Sequence, residues 1–256
     1  MKGNITVAKS WNELNDWQVQ QIAHLYLNTP VDEFDSAYLK MIFAVFQKSP
    51  NPKNRNFLRK LVREIPVSEL SKHTDWLLKT TSYYRFPEIE GLIRPTDALG
   101  DISIRQFSTI DSFFYSWNKE KNDINLKRLV ASIYRINEQF YDTDLPAVDK
   151  ITRSISKSKM EQIALGYMFT RMYIADKFPV IFPKKEKTEE EELKPVFKKL
   201  EEQYIPFDKT IIAMSMEELQ PLGKKQDANN VRIYEFMSVL SETILHHEKN
   251  KKNAGK

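Results

Sequence analysis

The sequence predicts a mainly α fold, an irregular multi-helix bundle with an extended central crossover and a helical C-terminal appendage. Three observations carry that reading. Glycine is scarce, six in 256 residues, and the twelve prolines mostly fall between periodic segments. Apolar residues recur every three or four positions over long stretches, the spacing of one buried helix face. Three Ser-x-x-Glu/Gln patterns, at Ser10/Glu13, Ser103/Gln106 and Ser158/Glu161, stand just before such stretches, where a capping box satisfies the free amides of a first helical turn.

The first helix opens at "SWNE" and carries Trp11, Leu14, Trp17, Ile22, Leu25 and Tyr26 as its stripe. It ends at "NTP", because the residue before proline is pushed out of the helical region. A second helix spans about Ser36 to Gln47 with Asp35 as its cap, and "SPNPKN" breaks it. The basic helix "NFLRKLVRE" follows and stops before Pro66. "SELSKHTDWLLKT" then reads as a fourth helix.

From Ser82 to Asp101 periodicity fades, and two prolines and two glycines mark an extended crossover with room for a short strand pair. Beyond it, Phe107, Ile110, Phe113, Phe114 and Trp117 step by three or four behind Ser103. Burying each large side chain contributes about 1.5–3 kcal/mol, so the stripe reads as core before it reads as a ligand pocket lined by aromatics. "DINLKRLVASIYR" is the next helix, capped near Asn122 or Asp123. Pro146 fits the first turn of a short helix, where its missing donor costs nothing. "SKSKMEQIALGYMFTRMYIADKF" is the longest helix of the body, and "FPVIFP" docks behind it as an extended apolar segment.

"KKEKTEEEELK" has nine charged residues in eleven and nothing to bury. It divides the chain into a main helical domain (1–183), a charged linker (184–194) and a helical C-terminal unit (195–248). The last helix of that unit runs from about Ala228 to His247, and a disordered basic tail (249–256) follows.

Composition excludes several chemistries. There is no cysteine, hence no disulfide, thiolate metal site or cysteine nucleophile. The four histidines, His24, His73, His246 and His247, lack the i, i+4 partner of a helical zinc site. No phosphate-cradling glycine loop or nucleophile elbow occurs. The acid pairs Asp97/Asp101 and Glu88/Glu90 sit in the turn-rich crossover, where aspartate serves as a turn residue. The reading is therefore a non-enzymatic protein without cofactor or metal. The N-terminal stretch lacks the apolar run of a secretory signal, and no run approaches the roughly 18 apolar residues of a membrane span, which sets the expected compartment as the cytoplasm.

Two surfaces remain as candidates for partners. Thioethers line surfaces that accept varied apolar partners, and Met214 and Met216 flank a turn near the C-terminus. The segment "KSPNPKNRNFLRKLVRE" is basic although the net charge is only +4. Its Lys53, Arg55, Arg59, Lys60 and Arg63 make a candidate nucleic-acid contact, weighed against a merely solvated face.

The order "LIRPTDALGDISIRQFSTIDSFF", "INLKRLVASIYR", a Phe/Tyr-rich loop and a long helix ending in "FPVIFP" resembles small α-helical proteins of phage and prophage structural-gene clusters of Bacteroidota. The resemblance covers the layout of about 90–245 and carries no functional residue over. It implies a virion-morphogenesis protein, a tail-assembly accessory or chaperone. Such a protein would contact other virion or tail proteins in the host cytoplasm or the virion. The alternative is a nucleic-acid-binding accessory using segment 48–63.

Overall fold

A computed structural model describes residues 7–79, 81–183, 207–217 and 221–254. Twelve α-helices lie within them: α1 (Asp16–Asn28), α2 (Phe34–Gln47), α3 (Pro52–Glu64), α4 (Val67–Ser71), α5 (Trp76–Lys79), α6 (Ile104–Glu120), α7 (Asp123–Ile133), α8 (Leu145–Thr152), α9 (Lys157–Lys177), α10 (Phe207–Met216), α11 (Lys225–Asn230) and α12 (Ile233–Ala254). No β-sheet forms among the described residues. The expected strand pair is replaced by two isolated bridges, Ile93 with Arg135 and Ser103 with Arg232.

Helix α9 is the centre. It packs against α1 and α7, while α1 also packs on α2 and α6 on α7. Every residue from Met160 to Thr170 is buried, so this stretch is enclosed on all sides rather than along one stripe. At one end Phe169 meets Trp11 and Tyr26 edge to face, with ring centroids 5.0 and 5.4 Å apart. At mid-helix Tyr167 meets Phe107 and Phe114 of α6 at 6.1 and 5.1 Å. The aromatic stripe of α6 is thus core: Phe107, Ile110, Phe114 and Trp117 are buried, and Phe113 is half-buried against the same cluster.

Two of the three capping boxes are rebuilt. Ser10 makes no cap bond; Trp11–Glu13 form a 3-10 turn that swings Trp11 fully inside, and α1 starts later behind an Asn15–Gln18 box. Ser156, not Ser158, caps α9. Glu161 instead turns inward, where Oε2 lies 2.9 Å from His24 Nδ1 and Oε1 accepts from Asn28 Nδ2 at 3.0 Å. Ser103 does accept from the Gln106 amide at 3.2 Å. The Gln106 side chain does not return that bond; it donates to the Ser132 and Ile133 carbonyls and so closes the end of α7.

Elsewhere boundaries moved for local reasons. α2 begins at Phe34 with Asp35 already inside its first turn. The fourth helix splits into α4 and α5, because Thr74 is buried at a turn between them and its hydroxyl bonds back to Ser71 O. "FPVIFP" folds into a tight turn in which the Ile181 and Phe182 amides both donate to Phe178 O.

The C-terminal helices do not form a core of their own. Phe207, Ile211, Met214, Ile233, Phe236 and Met237 belong to the same buried cluster as Trp11 and Tyr167. Backbone bonds seal the join: Ile104 N–H donates to Val231 O at 2.9 Å and Ile233 N–H to Ile102 O at 3.1 Å. This pairing interrupts what reads in sequence as one final helix, leaving α11 and α12 on either side. Helix α12 then continues to Ala254, past the expected stop at Glu248. Its last turns carry Lys251 and Lys252, which complement the helix C-terminus. The charged linker 184–194 and the first part of the C-terminal unit, 195–206, lie outside the described residues.

Gly166 marks the tightest approach in the core. A Cβ there would sit 2.9 Å from the backbone oxygen of Arg85 in the crossover. Alanine would gain up to about 1 kcal/mol of helix propensity, but overpacking against backbone costs about 1–3 kcal/mol. Gly166→Ala is expected to destabilise by about 1–2 kcal/mol net, lowering Tm by roughly 2–8 °C in a thermal melt.

A chain ending at Pro183 tests the shared core. Each lost side chain among Phe207, Ile211, Ile233, Phe236 and Met237 removes about 1.5–3 kcal/mol of burial, and together they match a typical total stability of about 5–15 kcal/mol. The truncated chain is expected to lose its cooperative thermal transition. Retention of the full-length Tm would show that residues 7–183 stand alone.

Candidate functional site

The cationic helix α3 is built by its ends and its inner face. Asn51 caps it by accepting from the Lys53 amide at 2.9 Å, and Pro52 occupies the first turn. Leu58 and Leu61 bury into a small satellite core with Ile42 and Phe46 of α2 and Leu70 of α4. Those contacts set the rotation of the helix, and Lys53, Arg55, Arg59, Lys60 and Arg63 are all exposed on its outer side. None of the five forms an ion pair with a described acid, whereas Lys72, Lys157, Arg105 and Arg153 are each paired, with Glu69, Asp123, Asp142 and Asp149. The structure therefore brings the five sequence-predicted cations together on one face.

The two methionines part company. Met214 is 3% exposed and points into the core beside Phe207 and Ile211, so it is not a partner surface. Its position on α10 explains the correction, because positions 207, 211 and 214 share a helix face. Met216 is 78% exposed, and Ile212, one turn earlier on the same outer face, is 39% exposed. The end of α10 is tied to α12 by Glu217 Oε2, 3.3 Å from His247 Nε2. The exposure of Ile212 was missed in the sequence, where a short apolar run does not say which of its members faces out.

A third place was not legible in the sequence. Asp101, Ser103, Gln106, Arg135, Asn230 and Arg232 line an open pocket of about 230 Å³ where the crossover, α6 and the α11–α12 junction meet. Its polar groups are only partly satisfied by one another: among the described residues Gln106 Oε1 and Arg135 Nε are buried without a hydrogen-bond partner. The Asp101 carboxylate accepts from the Thr96 amide at 2.8 Å and pairs with the buried Arg135 guanidinium. Glu138, Gln139, Asn230 and Arg232 are its exposed polar members. Of the acid pairs in the crossover, Asp101 is thus a structural ion-pair member, and Asp97 opens a 3-10 turn. Among the described residues no group of three histidine or acidic side chains is arranged to hold a metal ion, and no helix is long and apolar enough to cross a membrane.

No protein-family model matches the chain, and neither the curated proteins nor the solved structures contain a match.

The Asp101–Arg135 pair makes the pH response of this junction predictable. Burial raises the Asp101 carboxyl, but the Thr96 amide and the Arg135 charge outweigh it and hold the group below its usual value. A depressed carboxylate contributes stability above its unfolded pKa of about 3.9 and loses that contribution as pH falls through the lower folded value. Asp101→Asn is expected to destabilise by about 2 kcal/mol at pH 7, the loss of a charge-assisted bond to a buried partner. The penalty should shrink as pH falls below the unfolded value of about 3.9 and through the lower folded one, read as Tm against pH for the two proteins.

Proposed function

We propose that this chain is a non-catalytic protein of virion morphogenesis, a tail-assembly accessory or chaperone that works through protein–protein contacts. The setting comes from the layout that resembles phage and prophage structural-cluster proteins. The single observation that carries the mode of action is the outer face of α10. There an exposed Met216 and Ile212 ride on a helix whose opposite face is anchored in the core. A thioether on a fixed helix offers apolar area that adapts to partners of differing shape, which suits transient shielding of an aggregation-prone helical protein. The partners on this reading are tail or other virion proteins in the host cytoplasm, and the interaction uses helix-in-groove contacts.

The test is co-expression with the tail-tube and tape-measure-type products of the same gene cluster, scored by their solubility and co-elution. Co-elution with at least one is expected. Ile212→Asp combined with Met216→Lys should weaken it at least tenfold, while Tm shifts by no more than about 2 °C, as surface changes do. Absence of any complex, or a complex indifferent to both substitutions, would refute the reading.

A further inference from the structure

We propose that the outer face of α3 is a second, independent binding surface, whose ligand is the phosphate backbone of nucleic acid contacted without regard to base sequence. Arg55, Arg59 and Arg63 are four residues apart, so they lie along one ridge of the helix about 6 Å apart in axial rise. Lys53 and Lys60 flank that ridge two turns apart, and Phe57, 40% exposed, lies beside them. The arginine fork matches phosphate oxygens in a bidentate way, and a row of forks matches a polymer that repeats one charge per unit.

Three features select this ligand over the other polyanions a cell offers. The five cations of α3 stand within eleven residues and make no ion pair with a described acid. The only acid on the helix, Glu64, stands at its final residue, outside the arginine ridge. The apolar face of α3 is already spent on Ile42, Phe46 and Leu70, so the helix has nothing to insert into a bilayer, which amphipathic membrane binding requires. A protein interface needs apolar or aromatic anchors and is depleted in lysine; this face has one exposed aromatic, Phe57, beside three arginines and two lysines. Nucleic-acid interfaces, by contrast, are strongly cationic and polar.

Each neutralised phosphate releases condensed counterions, so three to five contacts give a slope of log K against log salt between about −2.7 and −4.5. The experiment is fluorescence anisotropy of the full chain with a labelled 20-base-pair duplex of arbitrary sequence, titrated with sodium chloride. Affinity is expected to fall by about 40- to 500-fold between 50 and 200 mM salt. Arg55→Ala/Arg59→Ala/Arg63→Ala should weaken binding at 50 mM salt at least tenfold and flatten the slope by about 2.7. Lys72→Ala/Lys79→Ala/Arg153→Ala, which removes the same formal charge from positions paired with Glu69, Asp75 and Asp149, should leave both unchanged. Circular dichroism checks folding, and the single Arg59→Glu replaces the triple variant if that variant is unfolded. Failure of the parent chain to bind at 50 mM overturns the proposal, as does equal loss in the two triple variants. Equally tight binding of polyglutamate or phosphatidylserine vesicles through the same arginines also overturns it.

Discussion

The enclosure of α9 on all sides is the constraint from which the remaining architecture follows. A helix buried from Met160 to Thr170 cannot be covered by one neighbour. It needs α1 and α7 on its flanks, α6 aromatics against Tyr167, and the crossover pressed on Gly166. The polar members of α9 must then be satisfied internally, because a buried polar group without a partner costs about 1–3 kcal/mol. Glu161 reaches His24 and Asn28, and Gln162 is bonded to Asp16, Gln20 and the Tyr83 hydroxyl. These polar contacts fix the register of α1 and the crossover against α9, a role that apolar packing alone fills less sharply.

The same demand explains why the C-terminal helices are part of the body. Covering α6 on its other side falls to Phe207 of α10, whose ring lies 5.4 Å from Phe107. The crossover turn at Ala98 and Leu99 has positive φ at two non-glycine residues, a conformation costing on the order of 1 kcal/mol or more per residue. It is held by the Ala98 amide donating to Tyr84 O at 3.2 Å and by the Tyr234 hydroxyl of α12 donating to Ala98 O at 2.7 Å. Residues 136 positions apart thus stabilise one strained turn. This is tertiary structure imposing a local conformation.

The candidate contact faces lie on the outside. Among the described residues the chain spends most of its aromatics and methionines inward. Two outer faces gather side chains of one kind: the apolar outer side of α10 and the clustered cations of α3. Both ride on helices whose inner faces are fixed, so each presents side chains at set spacing without needing to fold on contact. Preorganisation of this kind lowers the ordering cost of association.

The sequence by itself determined the helical class, the spacing of the core residues and the grouping of the α3 cations. These depend on periodicity within one segment, and a 3.6-residue repeat places positions 55, 59 and 63 together whatever surrounds them. Tertiary structure decided the rest. Ser-x-x-Glu marks a cap only if the glutamate is not needed elsewhere, and α1 needed Glu161. Met214 and Met216 are indistinguishable in composition, and only the setting of α10 against Phe107 sends one inward and the other out. A charged run suggests a division between units, yet the helices beyond it were claimed by a core that the first 183 residues leave uncovered. The reason is common to all three cases: burial is a property of what lies across the gap, which no local pattern records.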